Sequence, residues 1–240
     1  MAAMTVLITG ATSGIGECFA RALHAQGHRI IVVGRNREKL ALLKKELGAQ
    51  TIEADLSTPE GVKKCMSKDI DMLINNAGLG YFGTTTSEQD KEMVNVNIHA
   101  LTQLSNHYLA REKPMKTIIN VASVVAFFPM PSLNTYAATK AYVLHYTIGL
   151  AKAHPSVMIQ CLCPGATNTQ FFSRATGGRD AAGGGSSGRE TPEEVVRNSL
   201  EGLKKKKTVV ISGLKNAMMV KASGMASKEF LASVLADYPN

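Results

Sequence analysis

The chain alternates short runs of apolar and β-branched residues with longer segments in which apolar residues recur at helical spacing. This alternation is typical of parallel strands, because each strand must be followed by a crossover that returns the chain to the same end of the sheet. The predicted strands are residues 5–9, 30–33, 72–75, 117–121, 157–162 and 208–211, with 50–53 as a weaker candidate. We therefore predict an α/β fold in which one doubly wound parallel sheet of about seven strands carries helices on both faces.

The length and composition fit one folded unit. A chain of 240 residues with 45% hydrophobic and 19% charged residues can bury a sizeable core, so we predict a single domain over residues 1–240. A glycine-rich stretch makes 173–190 a predicted mobile loop, because it has too little apolar surface to offset the entropy of ordering. The apolar residues of 214–240 predict a C-terminal helical extension.

The formal net charge of +8 favours an anionic partner, because a basic surface raises the local concentration of phosphates, nucleotides or acidic lipids. No nucleic-acid-binding module is visible, so nucleic acid is not expected. The four lysines of 204–207 are interpreted as a solvated turn, and 214–240 as a helix packed on the domain or on a second subunit. Contact with a membrane surface stays open for both, since Lys215, Lys221 and Lys228 accompany the apolar residues.

The sequence shows no sign of export or of a metal centre. No apolar run is long enough to span a bilayer and the N-terminus lacks the pattern of a secretory signal, so we expect a cytoplasmic location. The four cysteines lack CxxC or zinc-like spacing and are interpreted as small buried hydrophobes. His24 and His28 have the spacing of helical metal ligands, but Gly27 should end the helix between them, so no metal site is predicted.

A glycine-rich turn lies between the first predicted strand and the first predicted helix. Its sequence is Thr9-Gly10-Ala11-Thr12-Ser13-Gly14-Ile15-Gly16. At such a position backbone N–H groups and the helix dipole can bind a pyrophosphate, and glycine lets the backbone come close. The spacing GxxxGxG departs from the general dinucleotide fingerprint GxGxxG, so an ordinary strand-to-helix turn is the alternative.

A tyrosine and a lysine stand four residues apart further along the chain. If their segment is helical, Tyr136 and Lys140 lie on one face. A neighbouring cation favours the phenolate, so Lys140 is predicted to lower the pKa of Tyr136 from about 10 and make the phenol a usable acid or base. Taken alone, this spacing also occurs as a surface tyrosine beside a lysine.

Together the motifs resemble those of the short-chain dehydrogenase/reductase family, in its shorter single-domain class, from about Met4 to about Ile211. The glycine-rich turn is similar to the cofactor turn of that family, Asn75-Asn76-Ala77-Gly78 to its sheet-stabilising motif, and Tyr136 with Lys140 to its catalytic motif. The resemblance implies a Rossmann-like fold. It also implies a nicotinamide-dependent oxidoreductase that interconverts a carbonyl and a primary or secondary alcohol.

The resemblance assigns roles to individual residues. The implied catalytic residues are Asn97, Ser123, Tyr136 and Lys140. The implied cofactor-binding residues are Gly10, Thr12, Ser13, Gly14, Ile15, Gly16, Arg35, Asp55, Leu56, Asn76, Ala77, Gly78, Tyr136, Lys140, Pro164, Gly165, Thr167 and Thr169. Among them, Thr169 would bond the nicotinamide carboxamide and Asp55 would lie near the adenine ring.

The implied mechanism is transfer of a hydride from the nicotinamide to the carbonyl carbon while Tyr136 protonates the oxygen. Ser123 would hydrogen-bond the developing oxyanion, and Lys140 would also contact the nicotinamide ribose. Asn97 would hold a water that links Lys140 to solvent, which fits the poor helix propensity of asparagine at a helical position.

The end of the second predicted strand bears on the choice between NADP and NAD. The segment is Gly34-Arg35-Asn36-Arg37, with no carboxylate to accept hydrogen bonds from the adenosine ribose. Arg35 can instead hold a 2′-phosphate through a charge-assisted contact, so NADP (NADPH) is preferred and NAD stays possible. If Arg35 and Arg37 are only solvated charges at a helix start, the cofactor choice is open.

Aromatic residues cluster in segments that the resemblance places around the substrate. They are Tyr81, Phe82, Phe127, Phe128, Phe171 and Phe172. They favour a small apolar carbonyl or alcohol substrate, with 173–190 as its lid, although some of the rings are alternatively core or subunit-contact residues. A homodimer or homotetramer is expected. The alternatives are an NAD-dependent alcohol dehydrogenase of the same fold and a catalytically silent nucleotide-sensing protein.

Overall fold

The computed structural model describes residues 3–175 and 189–236, and seven strands among them form one parallel sheet. The strands are β1 Thr5–Thr9, β2 Arg29–Gly34, β3 Gln50–Glu53, β4 Met72–Asn75, β5 Thr117–Val121, β6 Met158–Cys163 and β7 Val209–Ile211. Their order is β3-β2-β1-β4-β5-β6-β7. The predicted doubly wound α/β fold is confirmed, and the weaker strand candidate, now β3, pairs with β2.

Helices connect the strands and follow the last one. They are α1 Gly14–Ala25, α2 Arg37–Leu47, α3 Pro59–Met66, α4 Ser87–Val94, α5 Leu101–Leu109, α6 Asn134–Ala153, α7 Gln170–Ala175, α8 Pro192–Lys204, α9 Leu214–Ser223 and α10 Lys228–Ala236. A π-helical turn, Asn95–Ala100, joins α4 to α5, and 3-10 turns span Val124–Phe127 and Pro131–Leu133. None of the helices within 3–175 and 189–236 is both long and apolar enough to cross a membrane.

The sheet is buried on both faces, which explains the continuous apolar runs of its strands. In β1, Val6 and Ile8 face the core formed with α1 and α8, whereas Leu7 faces the core formed with α3 and α5. Strands alternate their side chains between the two faces, so a strand covered on both sides must be apolar at every position.

The sequence signals at the helix ends agree with the structure. Phe19 and Leu23, four residues apart on α1, are both buried, and α1 ends just before Gly27, as predicted, where a φ of 83° is in the left-handed region. Helix α8 begins with a capping box in which the Thr191 side chain accepts from the Glu194 N–H and the Glu194 side chain accepts from the Thr191 N–H.

The predicted bounds of three strands differ from the observed ones by one residue at one or both ends. β2 extends to Arg29 and Gly34 because these residues pair with Thr5 and Glu53, so hydrogen bonding continues beyond the apolar run. β6 and β7 each begin one residue later than predicted, and β6 ends one residue later. Hydrophobicity marks burial, whereas the ladder of hydrogen bonds sets the ends of a strand.

The two segments predicted outside the alternating pattern differ in what the structure describes. Helix α7 accounts for 173–175 of the predicted lid, whereas 176–188 lies outside the described residues. The C-terminal segment forms α9 and α10 as far as Ala236. Both helices turn apolar side chains, Val220 and Leu231 among them, toward one cluster of the core.

Candidate active site

The strand order reverses between β1 and β4, and such reversals open a crevice at the carboxyl ends of the strands. The glycine-rich turn follows β1, and Asn75-Asn76-Ala77-Gly78 lies at the end of β4, so both motifs lie beside this crevice. The Asn76 side-chain amide donates to the carbonyls of Thr9 and Gly10, at 2.9 and 3.1 Å. The Thr9 hydroxyl accepts from the backbone N–H groups of Asn76 and Ala77, each at 3.0 Å. The two motifs thus form one hydrogen-bonded unit.

Two glycines of the turn have left-handed backbone angles and close neighbours. Gly10 has a φ of 63°, and a Cβ added there would lie 2.8 Å from the Ala77 Cα. Gly14 has a φ of 56°, and a Cβ there would lie 2.9 Å from the Thr169 Cγ2. Only glycine fits both the backbone and the space. Since α1 begins here, its first-turn N–H groups have no acceptor within the helix, which suits a phosphate.

The segment Pro164–Thr169 runs from the predicted catalytic serine to the glycine-rich turn. At one end the Pro164 carbonyl accepts from the Ser123 hydroxyl at 3.4 Å and from the Val124 N–H at 2.9 Å. In the middle, the Thr167 hydroxyl donates to the Gly165 carbonyl at 3.0 Å. At the other end Thr169 lies against Gly14. This segment therefore crosses the crevice and brings its two ends into one site.

The two arginines after β2 have different partners. Arg35 Nη1 lies 3.4 Å from Glu92 Oε1, and the Arg35 side chain is 58% exposed. Arg37 Nε donates to Glu53 Oε2 at 2.6 Å. Glu92 also accepts from the Tyr81 hydroxyl at 2.6 Å. The contact between Glu92 and Arg35 was not predicted from the sequence. The two residues are far apart in the chain, and only the fold brings α4 close to the end of β2.

The two predicted adenine-side residues, Asp55 and Leu56, have different surroundings. One Asp55 carboxylate oxygen accepts from the Ser57 N–H at 3.0 Å and the Ser57 hydroxyl at 2.9 Å. The Leu56 side chain is buried in the core formed with α3 and α5. Leu56 therefore has only its backbone to offer a ligand, whereas Asp55 lies on the exposed side of the loop.

Tyr136 and Lys140 lie one turn apart on α6, and both are more than nine-tenths buried. The Lys140 ammonium donates to the Val121 carbonyl at 2.9 Å and lies 5.6 Å from the centre of the Tyr136 ring. Ser123 precedes a 3-10 turn, and its side chain interacts with the Tyr136 phenol. The structure therefore brings together Ser123, Tyr136 and Lys140, the residues predicted to take part in proton transfer and in stabilising the oxyanion.

The prediction that Lys140 lowers the pKa of Tyr136 is wrong in this structure. Burial raises the pKa of Tyr136 well above its usual value, and the interaction with Ser123 only partly offsets this effect. Burial also lowers the pKa of Lys140 to about 8. The Lys140 ammonium donates to a carbonyl rather than to the phenol, so it gives the phenolate no direct hydrogen bond. Tyr136 is accordingly protonated at neutral pH, the form that a proton donor requires.

Asn97 lies in the π-helical turn, not in a regular α-helix, and is almost fully buried. Its side-chain amide donates to the Leu79 carbonyl and the Thr139 hydroxyl, at 2.9 and 3.0 Å, and its carbonyl oxygen accepts from the Leu79 N–H at 3.0 Å. Gly78 fits between Asn97 and Lys140, since a Cβ added there would lie 3.3 Å from Asn97 Oδ1 and 3.2 Å from Lys140 Nζ. Asn97 thus fixes the loop that follows β4; the water relay stays a prediction.

A buried amide network supports the site from within the sheet. Asn75 and Asn120 are paired in register at the ends of β4 and β5, and the Asn75 amide donates to Asn120 Oδ1 at 2.9 Å. Asn75 also donates to the Ser105 hydroxyl, and Asn120 to the Thr147 hydroxyl. The network therefore ties α5 and α6 to the sheet. The role of Asn120 was missed, although an asparagine within an otherwise apolar strand is a usable signal.

The predicted aromatic segments converge on Tyr136. Phe128 is buried in the same apolar cluster as Tyr136, and the Phe171 ring centre lies 5.3 Å from that of Tyr136. Tyr81, Phe82 and Phe127 pack on the cluster with part of their surface exposed, and so do Val220, Leu231 and Leu235 of α9 and α10. The side chain of Phe172 lies outside the described residues.

Comparisons with known proteins agree with this geometry. Residues 4–179 match the sequence model of the short chain dehydrogenase family. A serine 3-dehydrogenase from Rhizobium radiobacter is 36% identical over 194 residues, which cover 74% of this chain and 78% of that relative. A short-chain dehydrogenase from Sphingobium yanoikuyae, solved in complex with NADPH, is 32% identical with a TM-score of 0.80, covering 92% of this chain and 94% of that one.

A solved 7beta-hydroxysteroid dehydrogenase is 27% identical with a TM-score of 0.84, covering 97% of this chain and 96% of that one. The likeness thus extends over the whole sheet and both sets of helices. The chain belongs to the short-chain dehydrogenase/reductase family and is an oxidoreductase that acts on CH–OH groups with NAD(P).

Proposed function

We propose that the protein is an NADP(H)-dependent oxidoreductase that interconverts a carbonyl and an alcohol on an apolar substrate, with Tyr136 as general acid and base. The main support for this proposal is the environment of the Tyr136 phenol. It is buried, interacts with Ser123, and is packed among aromatic and aliphatic side chains. A site of this kind keeps a proton donor protonated and excludes water from the reaction.

The residues at the crevice fit a dinucleotide phosphate. Gly10 and Gly14 form a cradle that a Cβ would fill, at the N-terminus of a helix. Arg35 directly follows β2, and its exposed guanidinium could hold a 2′-phosphate; the family relative solved with NADPH supports NADP over NAD. Thr169 and Lys140 would contact the nicotinamide end.

The reaction assigns one task to each catalytic side chain. When bound, NADPH supplies the hydride. Tyr136 donates its proton to the carbonyl oxygen as negative charge develops there, and Ser123 hydrogen-bonds the same oxygen. Lys140 places a buried ammonium near the reacting centre, where a positive charge stabilises the developing oxyanion and the phenolate that remains. In the oxidative direction the same groups act in reverse.

The lining of the site favours an apolar substrate. Phe128, Met130 and Leu133 are buried around Tyr136, and the partly exposed Phe82 and Phe171 extend the apolar surface. The relatives are named for different substrates, serine for one and a hydroxysteroid for another. Apolar and aromatic side chains around the phenol suit a ring ketone, an acyl chain or an aromatic aldehyde better than serine.

The proposal is tested by following the loss of NADPH absorbance with a panel of apolar ketones and aldehydes, with serine added and with NADH run in parallel. We expect turnover of at least one apolar carbonyl compound with NADPH, at a higher kcat/KM than with NADH. Preference for NADH would favour an NAD-dependent alcohol dehydrogenase. Tight NADPH binding without turnover of any compound would favour a nucleotide sensor.

Cofactor selection is predicted to depend on Arg35. The variant Arg35→Leu should weaken NADPH binding by about tenfold or more, because it removes a charge-assisted contact to the phosphate, and should change NADH binding little. Arg37→Leu is the matched control, since Arg37 is bound to Glu53. Dissociation constants from nicotinamide fluorescence decide the matter. Equal effects of the two variants on NADPH would remove Arg35 from the phosphate site.

A further inference from the structure

A cavity of about 620 Å³ adjoins the apolar cluster at Tyr81, which lines the cavity and packs on the cluster. Its walls come from the loop that follows β4, the 3-10 turn Pro131–Leu133, the first turn of α6 and the end of α10. Unlike the cluster around Tyr136, it is lined mainly by polar side chains, among them Thr85, Asp90, Ser132, Asn134 and Thr135. Neither sequence reasoning nor the reaction accounts for it.

We propose that this cavity is a polar subsite that binds a hydroxyl or ammonium group at the far end of the substrate and rejects a carboxylate. The inference rests on the proposed function and adds a substrate class to it. That class has a carbonyl or alcohol at one end, an apolar body, and a neutral or cationic polar group at the other end.

Ser132 supplies the first argument. It lines the cavity, only 7% of its surface is exposed, and its hydroxyl has no hydrogen-bond partner within residues 3–175 and 189–236. A buried hydroxyl without a partner is unfavourable, so most such groups in proteins have one. Once the Ser132 side chain rotates toward the cavity, a ligand hydroxyl can both donate to and accept from its hydroxyl, and a ligand ammonium can donate to it. Either group would complete the hydrogen bonding of this turn.

Asp90 supplies the second argument. Its Oδ1 accepts from the Thr85 hydroxyl at 2.8 Å, which holds the carboxylate in the wall of the cavity. No lysine, arginine or histidine is among the described residues that line the cavity, and none of the described basic groups forms an ion pair with Asp90. Glu92, which contacts the cavity-lining Tyr81, has Arg35 as its cationic partner. The uncompensated carboxylate attracts a cation or a hydroxyl and repels an anion.

The loop after β4 joins the cavity to the reacting centre. A Cβ added at Gly80 would lie 2.8 Å from the Tyr136 ring, so this end of the loop packs on the catalytic phenol. Tyr81 belongs to the apolar cluster and also lines the cavity. Two residues on, the Gly83 N–H donates to the Ser132 carbonyl at 2.9 Å. A substrate that reaches from Tyr136 along this loop therefore crosses apolar surface before it meets Ser132 and Asp90.

Four ligands built on one ketone test the subsite by calorimetric titration against the protein in complex with NADP, in which no reduction occurs. They are benzylacetone and its para-hydroxymethyl, para-aminomethyl and para-carboxylate derivatives. We expect the hydroxymethyl and aminomethyl compounds to bind about tenfold more tightly than benzylacetone and the carboxylate about tenfold more weakly. Equal affinities, a preference for the carboxylate, or no binding by any of the four would overturn the inference.

Two variants test which residue binds each polar group of the ligands. Asp90→Asn should abolish the advantage of the aminomethyl compound, and Ser132→Ala should reduce that of the hydroxymethyl compound, while neither changes the affinity for benzylacetone by more than about twofold. Glu88→Gln is the matched control, because Glu88 is exposed on the same helix as Asp90 and carries the same charge. An equal effect of Glu88→Gln would show a general charge effect and no subsite.

Thermal melting of each variant shows whether the loss of the Thr85 contact perturbs the fold, and Ser132→Ala tests the subsite independently of that contact. Reduction of benzylacetone by the wild type with NADPH separates the two hypotheses. If benzylacetone is reduced but the polar derivatives show no selectivity, the subsite is wrong and the proposed function stands. If the derivatives bind selectively but none of them is reduced, the proposed function fails and the subsite stands.

Discussion

Replacing Tyr136 by Phe should lower turnover by at least about a hundredfold, the usual contribution of a positioned general acid. The change keeps the ring that packs against Phe171 and removes only the hydroxyl, so the fold should be unaffected and the affinity for NADPH should fall far less than turnover does. Initial rates of NADPH consumption give the effect on kcat. Nicotinamide fluorescence gives the dissociation constant of the cofactor.

Tyr142→Phe is the matched control. Tyr142 is on the same helix as Tyr136 and is 38% exposed, and its hydroxyl hydrogen-bonds with Thr102 at the surface. This variant should retain wild-type turnover. If Tyr136→Phe turned over at nearly the wild-type rate, or lost activity only because NADPH no longer bound, the assignment of Tyr136 as proton donor would be wrong.

Replacing Lys140 by Met should abolish most turnover and at the same time raise the melting temperature at neutral pH. Burial lowers the pKa of Lys140 to about 8, from 10.5. Charging this amine in the folded state is therefore unfavourable by about 3 kcal/mol, partly offset by the hydrogen bond to Val121. Methionine is apolar and similar in length, so it removes the unfavourable charge, and stability rises by about 2–4 °C for each kcal/mol gained.

The gain from Lys140→Met should depend on pH in one direction. Below pH 8 both the folded and the unfolded protein carry the proton, and the full destabilisation by the charge is present. Between pH 8 and about 10.5 the unfolded protein binds more protons than the folded one, so the wild type becomes more stable as the pH rises. The difference in melting temperature between variant and wild type should therefore be largest near pH 7 and smallest near pH 10.

Lys152→Met is the control for this effect, because Lys152 is exposed near the end of the same helix. It should show no such pH-dependent difference. A Lys140→Met protein that melted below the wild type at pH 7, or whose gain persisted at pH 10, would contradict the assignment of Lys140 as an unfavourably buried cation. We therefore expect that Lys140 is required for turnover although its buried charge lowers the stability of the folded protein.

The sheet could be predicted from sequence because its strands are covered on both faces. Val6, Leu7 and Ile8 face the cores on both sides of the sheet, so all three must be apolar. Several such apolar runs, with helical segments between them, are compatible with few folds other than a parallel sheet covered by helices. The proximity of the proposed catalytic residues could be predicted for a different reason. Tyr136 and Lys140 are close in sequence on one helix, so their spacing alone indicated that they lie together. Asn97 and Ser123 are distant in sequence and were identified from the family resemblance.

The features that sequence reasoning missed depend on contacts between distant segments. Glu92 meets Arg35 only after the chain has crossed the sheet, and Asn75 meets Asn120 only through strand register. The pKa of Tyr136 was predicted in the wrong direction because the spacing from Lys140 indicated proximity and gave no measure of burial. Local spacing predicts which groups meet, whereas the surrounding packing decides their protonation.

The central claim, that a hydride passes to a carbonyl carbon while Tyr136 protonates the oxygen, is tested most directly by isotope transfer. NADPH deuterated at the transferring position of the nicotinamide is incubated with the wild type and an apolar ketone from the panel, and the alcohol product is analysed by mass spectrometry and NMR. We predict one deuterium on the carbinol carbon in wild-type product and a rate at least about a hundredfold lower with Tyr136→Phe. An alcohol product without deuterium, or equal rates for the two proteins, would contradict it.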